Sequence, residues 1–158
     1  MRLKWKPPPS AKPRRWSRGL LRLPVLSVRQ PYAWLIVQGI KTLENRSWRT
    51  HYRGPLLIHA SSNRVDLTET VFARYGARGR VRLPKAESYL LGGVIGYVEV
   101  VDCVRHSASV WKNPGSWGWV LARAQPLKFR PCQGAVGFFR PKWAPMTSKR
   151  KSPARGSR

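Results

Sequence analysis

The chain has 158 residues and carries 31 Lys and Arg residues against six Asp and Glu residues, a formal net charge of +25. This length predicts one domain with tails. A hydrophobic content of 42% with eight Trp residues is enough for a real core, which excludes a chain that is disordered throughout. No window of about 18 apolar residues occurs, which excludes a membrane-spanning helix. Because such a charge excess attracts polyanions, we expect nucleic acid as a partner.

The positive charge is concentrated at the two ends of the chain. Residues 1–23 carry eight Lys and Arg, residues 140–158 carry seven, and neither segment contains an acid, whereas residues 24–139 have a net charge of +10. The Pro-rich segment 1–23 predicts a flexible extended arm that grips phosphates and stacks on bases, with a disordered solubilising tail as the alternative. A second disordered basic tail is predicted at 141–158, so the folded domain is expected at 24–140.

Two cysteines, Cys103 and Cys132, lie far apart in apolar, strand-like surroundings. No CxxC or Cys/His spacing typical of a zinc site occurs, so we predict two reduced thiols, no metal and no other cofactor. Reduced thiols favour a cytoplasmic protein, with nuclear or nucleoid association as the alternative.

The first part of the domain predicts a strand, a buried helix and two further extended segments. The strand is Val25–Val28, and Pro31 suits the first position of a helix at 31–38 because its missing N–H costs nothing there. That helix is apolar on nearly all sides, so it should be buried, and Gly39 is the expected stop. The extended segments that follow are predicted at 42–46 and 55–60.

The second part predicts mainly strands. A helix is expected at 64–75, with Ser61 and Ser62 among its candidate N-caps. Further strands are predicted at 92–102, 117–124, 126–131 and 134–139. Five or six strands and two helices that do not alternate evenly argue against a doubly wound parallel sheet, and Gly-containing strands coil sharply. The sequence therefore predicts an α+β, mainly β fold built on a small closed barrel.

The loop at 76–91 contains the most basic internal patch, formed by Arg78, Arg80, Arg82 and Lys85. A solvated charged face is the alternative, but with both tails also basic we predict a phosphate-binding surface.

Five segments of the domain occur in the order of a known family. They are LSVRQPYAWLIVQGIKTLENRSW, RGPLLIHAS, GGVIGYVEVVDC, GSWGWVLARAQPL and CQGAVGFF. Over about residues 25–140 the chain resembles the ASCH domain (activating signal cointegrator-1 homology), which belongs to the PUA-like β-barrel superfamily. The most specific part of the match is a Gly-x-Lys-x-x-Glu-x-Arg signature, here Gly39, Lys41, Glu44 and Arg46.

The resemblance implies a small PUA-like barrel with a cleft beside the first helix, into which the signature residues point. It also implies RNA binding, since PUA-like relatives bind RNA and some hold a flipped or modified base in that cleft. Some small bacterial members are amidohydrolases on N4-acylated cytidine that use a Lys, a Thr and a Glu, and others have been described as ribonucleases. Lys41 matches that Lys, but Glu44 stands at the position of the Thr. Neither Glu87 nor Glu99 clearly matches the Glu, which argues against the amidohydrolase.

Four residues close in sequence form the candidate site: Lys41, Glu44, Arg46 and Trp48. Glu44 and Arg46 share one face of an extended segment, where they either form a structural ion pair or bind an exocyclic amine, a ribose hydroxyl, a base edge or phosphate. Lys41 either neutralises phosphate or acts as a base or nucleophile in a dry cleft, and in an enzyme Lys41 and Glu44 are the catalytic candidates. Trp48 either stacks on a base or belongs to the core.

Other polar and aromatic residues are weaker candidates. His59 ends a buried strand and is predicted to be a core residue, whereas His51 lies in a loop. Ser61 and Ser62 are expected to cap a helix, because no Ser/His/Asp order indicates a triad. Three Trp residues that surround a Pro-Gly turn are predicted at the barrel mouth, where one ring can line the cleft: Trp111, Trp117 and Trp119.

The sequence thus predicts a monomeric nucleic-acid-binding ASCH module that prefers RNA to DNA. One alternative is a hydrolase, either an amidohydrolase or a ribonuclease that uses Lys41. The other is an interaction module of a transcription-coregulator or ribonucleoprotein assembly, with protein partners.

Overall fold

A computed structural model describes residues 12–63 and 83–145. The described part contains six strands and one α-helix, with short 3-10 turns at Leu20–Arg22 and Ala86–Ser88. In chain order the elements are β1 (Val25–Val28), α1 (Tyr32–Val37), β2 (Leu43–Arg46), β3 (Gly54–Ala60), β4 (Gly93–Val104), β5 (Trp117–Pro131) and β6 (Phe138–Phe139). The helix predicted at 64–75 lies outside the described residues.

The six strands form a single curled sheet in the order β2-β5-β4-β3-β1-β6. β1 and β3 are parallel, and the other neighbouring strands are antiparallel. The long strands β4 and β5 bend at several register shifts along their shared ladder, which lets the sheet curl. The predicted α+β, mainly β fold with a small barrel is confirmed.

One long strand, β5, replaces the two strands predicted at 117–124 and 126–131. Pro126 has no N–H and is typical of a strand break, but here the register against β4 shifts between Val94 and Gly96. The missing donor therefore falls in an irregular part of the ladder, where it costs little. β6 is shorter than predicted because Gly137, with φ +69°, belongs to the turn that precedes it.

The interior of the barrel lies between one face of the sheet and α1. The fully buried Trp119 and the apolar residues of the inner face pack against Ala33, Ile36 and Val37 of the helix. Close packing requires Gly96 on β4, since an added Cβ would lie 2.6 Å from Val37 Cγ1. The helix is thus buried scaffold, as predicted. Within the described residues no helix combines the length and the apolar character needed to cross a bilayer.

A second apolar cluster lies on the opposite face of the sheet, because neighbouring side chains of a strand alternate between faces. Val25 and Leu57 are fully buried there beneath Trp16 and Trp143. The indole of Trp16 donates a hydrogen bond to Lys128 O (2.7 Å), and that of Trp143 donates to Leu21 O (2.9 Å). Residues of both terminal segments are therefore part of the packed domain.

Residues from the second half of the predicted arm at 1–23 take part in these contacts. Arg14 forms an isolated parallel bridge with Leu127, and its N–H donates to Pro126 O at 2.9 Å. The part of the arm from Arg14 onward is attached because its apolar residues cover the outer face of the sheet. Residues 1–11 and 146–158 lie outside the described residues.

The barrel is closed by side chains between β2 and β1. β2 and β6 are the two edges of the sheet, and β6 pairs only with Val25 and Leu26 of β1. Beyond that pairing, Arg46 Nη2 of β2 donates to Ser27 O of β1 at 2.7 Å. Within residues 12–63 and 83–145 no backbone ladder closes this seam, and polar side chains line it.

Candidate functional site

A cleft of about 430 Å³ occupies the seam between β1 and β2. Its walls come from the end of β1, the start of α1, β2 and the turn before β6. The lining residues are Ser27, Val28, Arg29, Tyr32, Glu44, Asn45, Arg46, Ser61, Ala135, Val136 and Gly137. This volume lies within the range of small-molecule sites, about 300–1,000 Å³, and can hold one base or nucleotide.

Glu44 joins two cations at the cleft wall. One carboxylate oxygen, Oε2, lies 2.6 Å from Lys41 Nζ, and the other, Oε1, lies 3.4 Å from Arg46 Nε. Lys41 Nζ also donates to Leu43 O at 2.5 Å. The Lys41 side chain is 4% exposed and that of Glu44 11% exposed. The buried ammonium therefore has two oxygen partners, as its desolvation requires.

The guanidinium of Arg46 is held by the protein and still borders the cleft. Ser27 O fixes one Nη2 proton, while Nε lies at an ion-pair distance from Glu44 without hydrogen-bond alignment. Among the described residues, no other protein acceptor is found for the remaining N–H donors of this side chain. The group is thus oriented in advance and keeps donors for a ligand.

The neighbouring Asn45 has a structural role. Its amide donates to Trp111 O at 2.7 Å and its oxygen accepts from the N–H of Asn113 and the hydroxyl of Ser116. These bonds hold β2 against the loop that leads into β5, and so fix the position of Arg46 one residue on.

The electrostatic balance of the cleft is positive. Arg29, at the end of β1, is exposed and lines the cleft, and it forms no ion pair within the described part of the chain. Arg29, Lys41 and Arg46 contribute three positive charges, and Glu44 contributes one negative charge. The net charge at and beside the cleft is therefore +2. An anionic ligand is favoured at such a site.

Comparison with known proteins identifies the fold that carries this cleft. A model of the ASCH domain matches residues 26–128, which is more than half of the chain. The chain belongs to the ASCH domain family. Among its relatives, "Activating signal cointegrator 1" of Homo sapiens and its Mus musculus counterpart are each 41% identical over 83 residues, which are 50% of this chain. The match spans 14% of the length of each relative.

Three residues of the ASCH signature meet at one point, but only two of them reach the cleft. Glu44 and Arg46 line it, whereas Lys41 is not among the lining residues and borders a smaller cavity of about 80 Å³ beside Gly39. Glu99, a candidate acid for hydrolysis, lies on β4 and pairs instead with Arg123. Hydrogen bonding to Arg123 lowers the pKa of that carboxyl. Lys41, Glu44 and Arg46 thus form an ion-pair network, and Arg46 is the cation of this network that lines the cleft.

Trp48 lies next to the cleft and not in its wall. The ring packs edge-on against Trp119 (4.7 Å between centroids) and Phe138 (5.5 Å), and the side chain is 38% exposed. Trp48 thus packs where β2 and β6, the two edges of the sheet, approach each other, and it remains partly exposed. The three Trp residues predicted at the barrel mouth do not line the cleft: Trp111, Trp117 and Trp119.

His59 is a core residue with both ring nitrogens engaged. It is 2% exposed, with Nδ1 3.1 Å from Ser27 Oγ and Nε2 3.0 Å from Cys132 O. A carbonyl oxygen only accepts, so Nε2–H donates to Cys132 and Nδ1 accepts from Ser27 in the neutral ring. Burial lowers the pKa of His59. No nitrogen is left for a partnership with the exposed His51.

The remaining predicted residues are only partly covered. Lys85 is exposed just before the 3-10 turn at Ala86–Ser88, whereas Arg78, Arg80 and Arg82 lie outside the described residues. The hydroxyl of Ser61 accepts from Asn63 N at 3.3 Å, and the helix that it is predicted to cap is not described.

Sequence reasoning missed several lining residues, namely Ser27, Arg29, Tyr32 and the turn at 135–137. The sequence does contain a signal for Arg29. A charged residue between a buried strand and a buried helix is expected at the surface where the two elements join. The turn carries no comparable signal, since its position beside β2 follows from closure of the barrel.

Proposed function

We propose that this ASCH domain binds nucleic acid, RNA in preference to DNA, and holds one nucleotide unit of a single strand in the cleft. The observation that carries the proposal is Arg46, a guanidinium fixed by Ser27 O and Glu44 at the wall of a cleft large enough for a base. Because the group is oriented before binding, little conformational entropy is lost when a phosphate or base edge reaches it. A planar guanidinium also binds phosphate with two donors at once.

The charge of the whole chain supports a polyanionic partner. With 31 basic and six acidic residues, the chain attracts a phosphate backbone regardless of its sequence. The cleft then supplies selectivity for an unpaired base, since single-stranded RNA presents bases that can be splayed out and bound individually. The preference for RNA follows the PUA-like character of the family.

Binding of labelled single-stranded RNA to wild-type and variant protein tests the proposal. Arg29→Ala removes a cleft charge at an exposed position, and we expect about a tenfold loss of affinity, as for one charge-assisted hydrogen bond. Arg46→Lys keeps the charge but loses the two-donor geometry, so a similar loss is expected. Arg123→Gln is the matched control, because Arg123 is exposed and already paired with Glu99. RNA affinity that is unchanged in both cleft variants contradicts a nucleotide in the cleft.

The hydrolase alternative has a direct test of its own. The ammonium of Lys41 is buried, bound to Glu44 and Leu43 O, and outside the cleft lining, which supports binding over catalysis. Wild-type protein and Lys41→Ala are incubated with N4-acetylcytidine and with RNA, and the products are separated by chromatography. We expect no turnover by either protein. Turnover by the wild type that disappears in Lys41→Ala establishes the hydrolase instead.

A further inference from the structure

Trp117, at the start of β5, carries two arginines on its ring. The guanidinium carbon of Arg49 lies 5.5 Å from the ring centroid and that of Arg105 lies 5.2 Å from it. Arg49 follows β2 and Arg105 follows β4, so three adjacent strands meet at this edge of the sheet. The two cations are no more than about 11 Å apart, since both contact one ring.

The arginines lack negative partners within the described residues. The ion pairs found there place Glu44 with Lys41 and Arg46, Asp102 with Arg53, and Glu99 with Arg123. Arg49 and Arg105 are both exposed and take part in none of these pairs. Two like charges that contact one ring repel each other, and an anion bound near both offsets this repulsion.

Contact with an indole leaves the arginines able to bind phosphate. A cation–π contact uses the positive charge of the guanidinium, and the N–H donors of the group can still bind an anion. The ring thus restricts two long side chains without using their donors. Fewer conformations are then lost when a phosphate binds.

This surface continues from the cleft. Arg46, which lines the cleft, is directly paired with Trp117 in the β2–β5 ladder. Trp48 immediately precedes Arg49 in the chain, is partly exposed, and has a ring that contacts Phe138, the residue after Gly137 of the cleft wall. Arginines and aromatic rings that alternate along one edge are typical of surfaces that bind single-stranded nucleic acid.

We propose that Arg49, Arg105 and Trp117, together with Trp48, form a track that binds the RNA strand where it leaves the cleft. Arg49 and Arg105 bind the phosphates that flank the nucleotide in the cleft, and the exposed edge of Trp48 contacts an adjacent base. The track rests on the proposed function, since it extends the same site from one nucleotide to several.

The length dependence of binding tests the track. The probes are a nucleoside monophosphate and a labelled single-stranded RNA of about eight nucleotides, within the range of site sizes for single-strand-binding domains. The variant is Arg49→Gln with Arg105→Gln, and the control is Arg123→Gln with Lys128→Gln. The control removes the same charge from exposed positions of β5 that lie about 20 Å or more along the strand from Trp117.

For the octamer we expect the track variant to lose about 20-fold in affinity at 0.1 M salt, with the slope of log K against log salt reduced by about 1.4. Its affinity for the monophosphate should stay within about twofold of the wild type, because that ligand occupies only the cleft. The control should retain most of its octamer affinity. Thermal unfolding of each variant checks that the exposed substitutions leave the barrel intact.

Octamer binding that equals wild type in the track variant overturns the track, as does an equal loss in the control. A different set of results would contradict the proposal that the cleft binds a nucleotide. If the monophosphate does not bind and Arg29→Ala leaves octamer affinity unchanged while the track variant loses it, the cleft proposal fails and the arginine surface stands alone.

Discussion

Glu44 is the residue on which the site depends, because each of its two carboxylate oxygens faces a different cation. Among the described residues Lys41 has this single carboxylate partner, whereas Glu44 has both Lys41 and Arg46. Removing the acid therefore leaves a buried ammonium without a counter-charge. Removing the lysine leaves the carboxylate paired with Arg46. The two halves of this ion pair are not equivalent for stability.

We predict that Glu44→Gln destabilises the fold more than Lys41→Met does. A broken buried pair that leaves one charge uncompensated costs about 3–5 kcal/mol, whereas Lys41→Met replaces the buried charge with an apolar chain and should cost less than about 2 kcal/mol. Urea unfolding of both variants and of the double variant measures the difference. An equal or larger loss in Lys41→Met contradicts the asymmetry.

His59 links the fold to pH. Burial lowers its pKa in the folded chain, whereas the unfolded chain binds the proton near the ordinary value of about 6.5. The unfolded state thus holds more protons around that pH, and stability rises with pH there. We predict that the free energy of unfolding is maintained above about pH 6.5 and falls as the pH drops below it.

Urea unfolding between about pH 5 and 7.5 measures this dependence. The slope should shrink in His59→Gln and persist in His51→Gln, because His51 is exposed. A His59→Gln variant with the full wild-type slope assigns the dependence to another group.

Among the elements, α1 and β2 set the position of the cleft, and the packing of α1 on the sheet depends on Gly96. The helix lies so close to β4 that an added Cβ at Gly96 meets Val37 Cγ1 at 2.6 Å and Gln125 O at 2.7 Å. Backbone on one side and a buried helix on the other leave little room to relax. The cleft wall that α1 supports should therefore respond to this one position.

We predict that Gly96→Ala destabilises the domain by about 1–3 kcal/mol, the usual cost of overpacking. Gly19→Ala is the control, because Gly19 has φ −63° and its nearest side-chain atom would be 4.0 Å from the new Cβ. Its effect should stay within about 0.5 kcal/mol. Chemical denaturation measures the free energy of unfolding of both variants. Equal values for Gly96→Ala and Gly19→Ala would contradict the close packing of α1.

Local sequence signals predicted the first elements well and long-range closure poorly. Val25–Val28 matches β1 to the residue, and the helix between Pro31 and Gly39 is short and buried as its apolar pattern requires. By contrast, the continuity of β5 through Pro126 depends on a register shift in its partner strand. No local pattern contains that information.

The same limit applied to the candidate site. The signature predicts a site at Lys41, Glu44 and Arg46, which are close in sequence. In the structure both cations contact Glu44. Which of them faces the cleft depends on closure between β1 and β2, a contact between residues 19 positions apart. Trp48 is close to these residues in sequence, but it lies beyond the end of β2, where the alternation of side chains along a strand does not determine its direction.

At the level of the whole domain, the two ends of the chain meet on the outer face of the sheet. Arg130 of β5 lies over both Trp16 (5.4 Å) and Trp143 (5.2 Å), whose rings contact each other at 5.2 Å. Together they cover the buried outer cluster around Val25 and Leu57. The segments that carry these Trp residues therefore contribute to stability.

We predict that the basic residues at the two chain ends can be deleted without loss of the folded domain. Deletion of 1–11 and 146–158 removes eight Lys and Arg residues and should weaken RNA binding and its salt dependence with little change in stability. Deletion of 1–23 also removes Trp16 and exposes the outer cluster, so it should lower the melting temperature. Thermal unfolding and RNA titration of both truncations test this, and two truncations of equal stability contradict the role of Trp16.

We propose that the cleft between β1 and β2 holds a nucleotide of single-stranded RNA. The most direct measurement is an NMR titration of the labelled protein with a short RNA, followed through backbone amide shifts. We predict that the largest shifts fall on residues that line the cleft, namely Ser27, Val28, Arg29, Tyr32, Glu44, Asn45, Arg46 and the turn at 135–137. Shifts confined to the chain ends, with the cleft residues unchanged at saturation, contradict the claim.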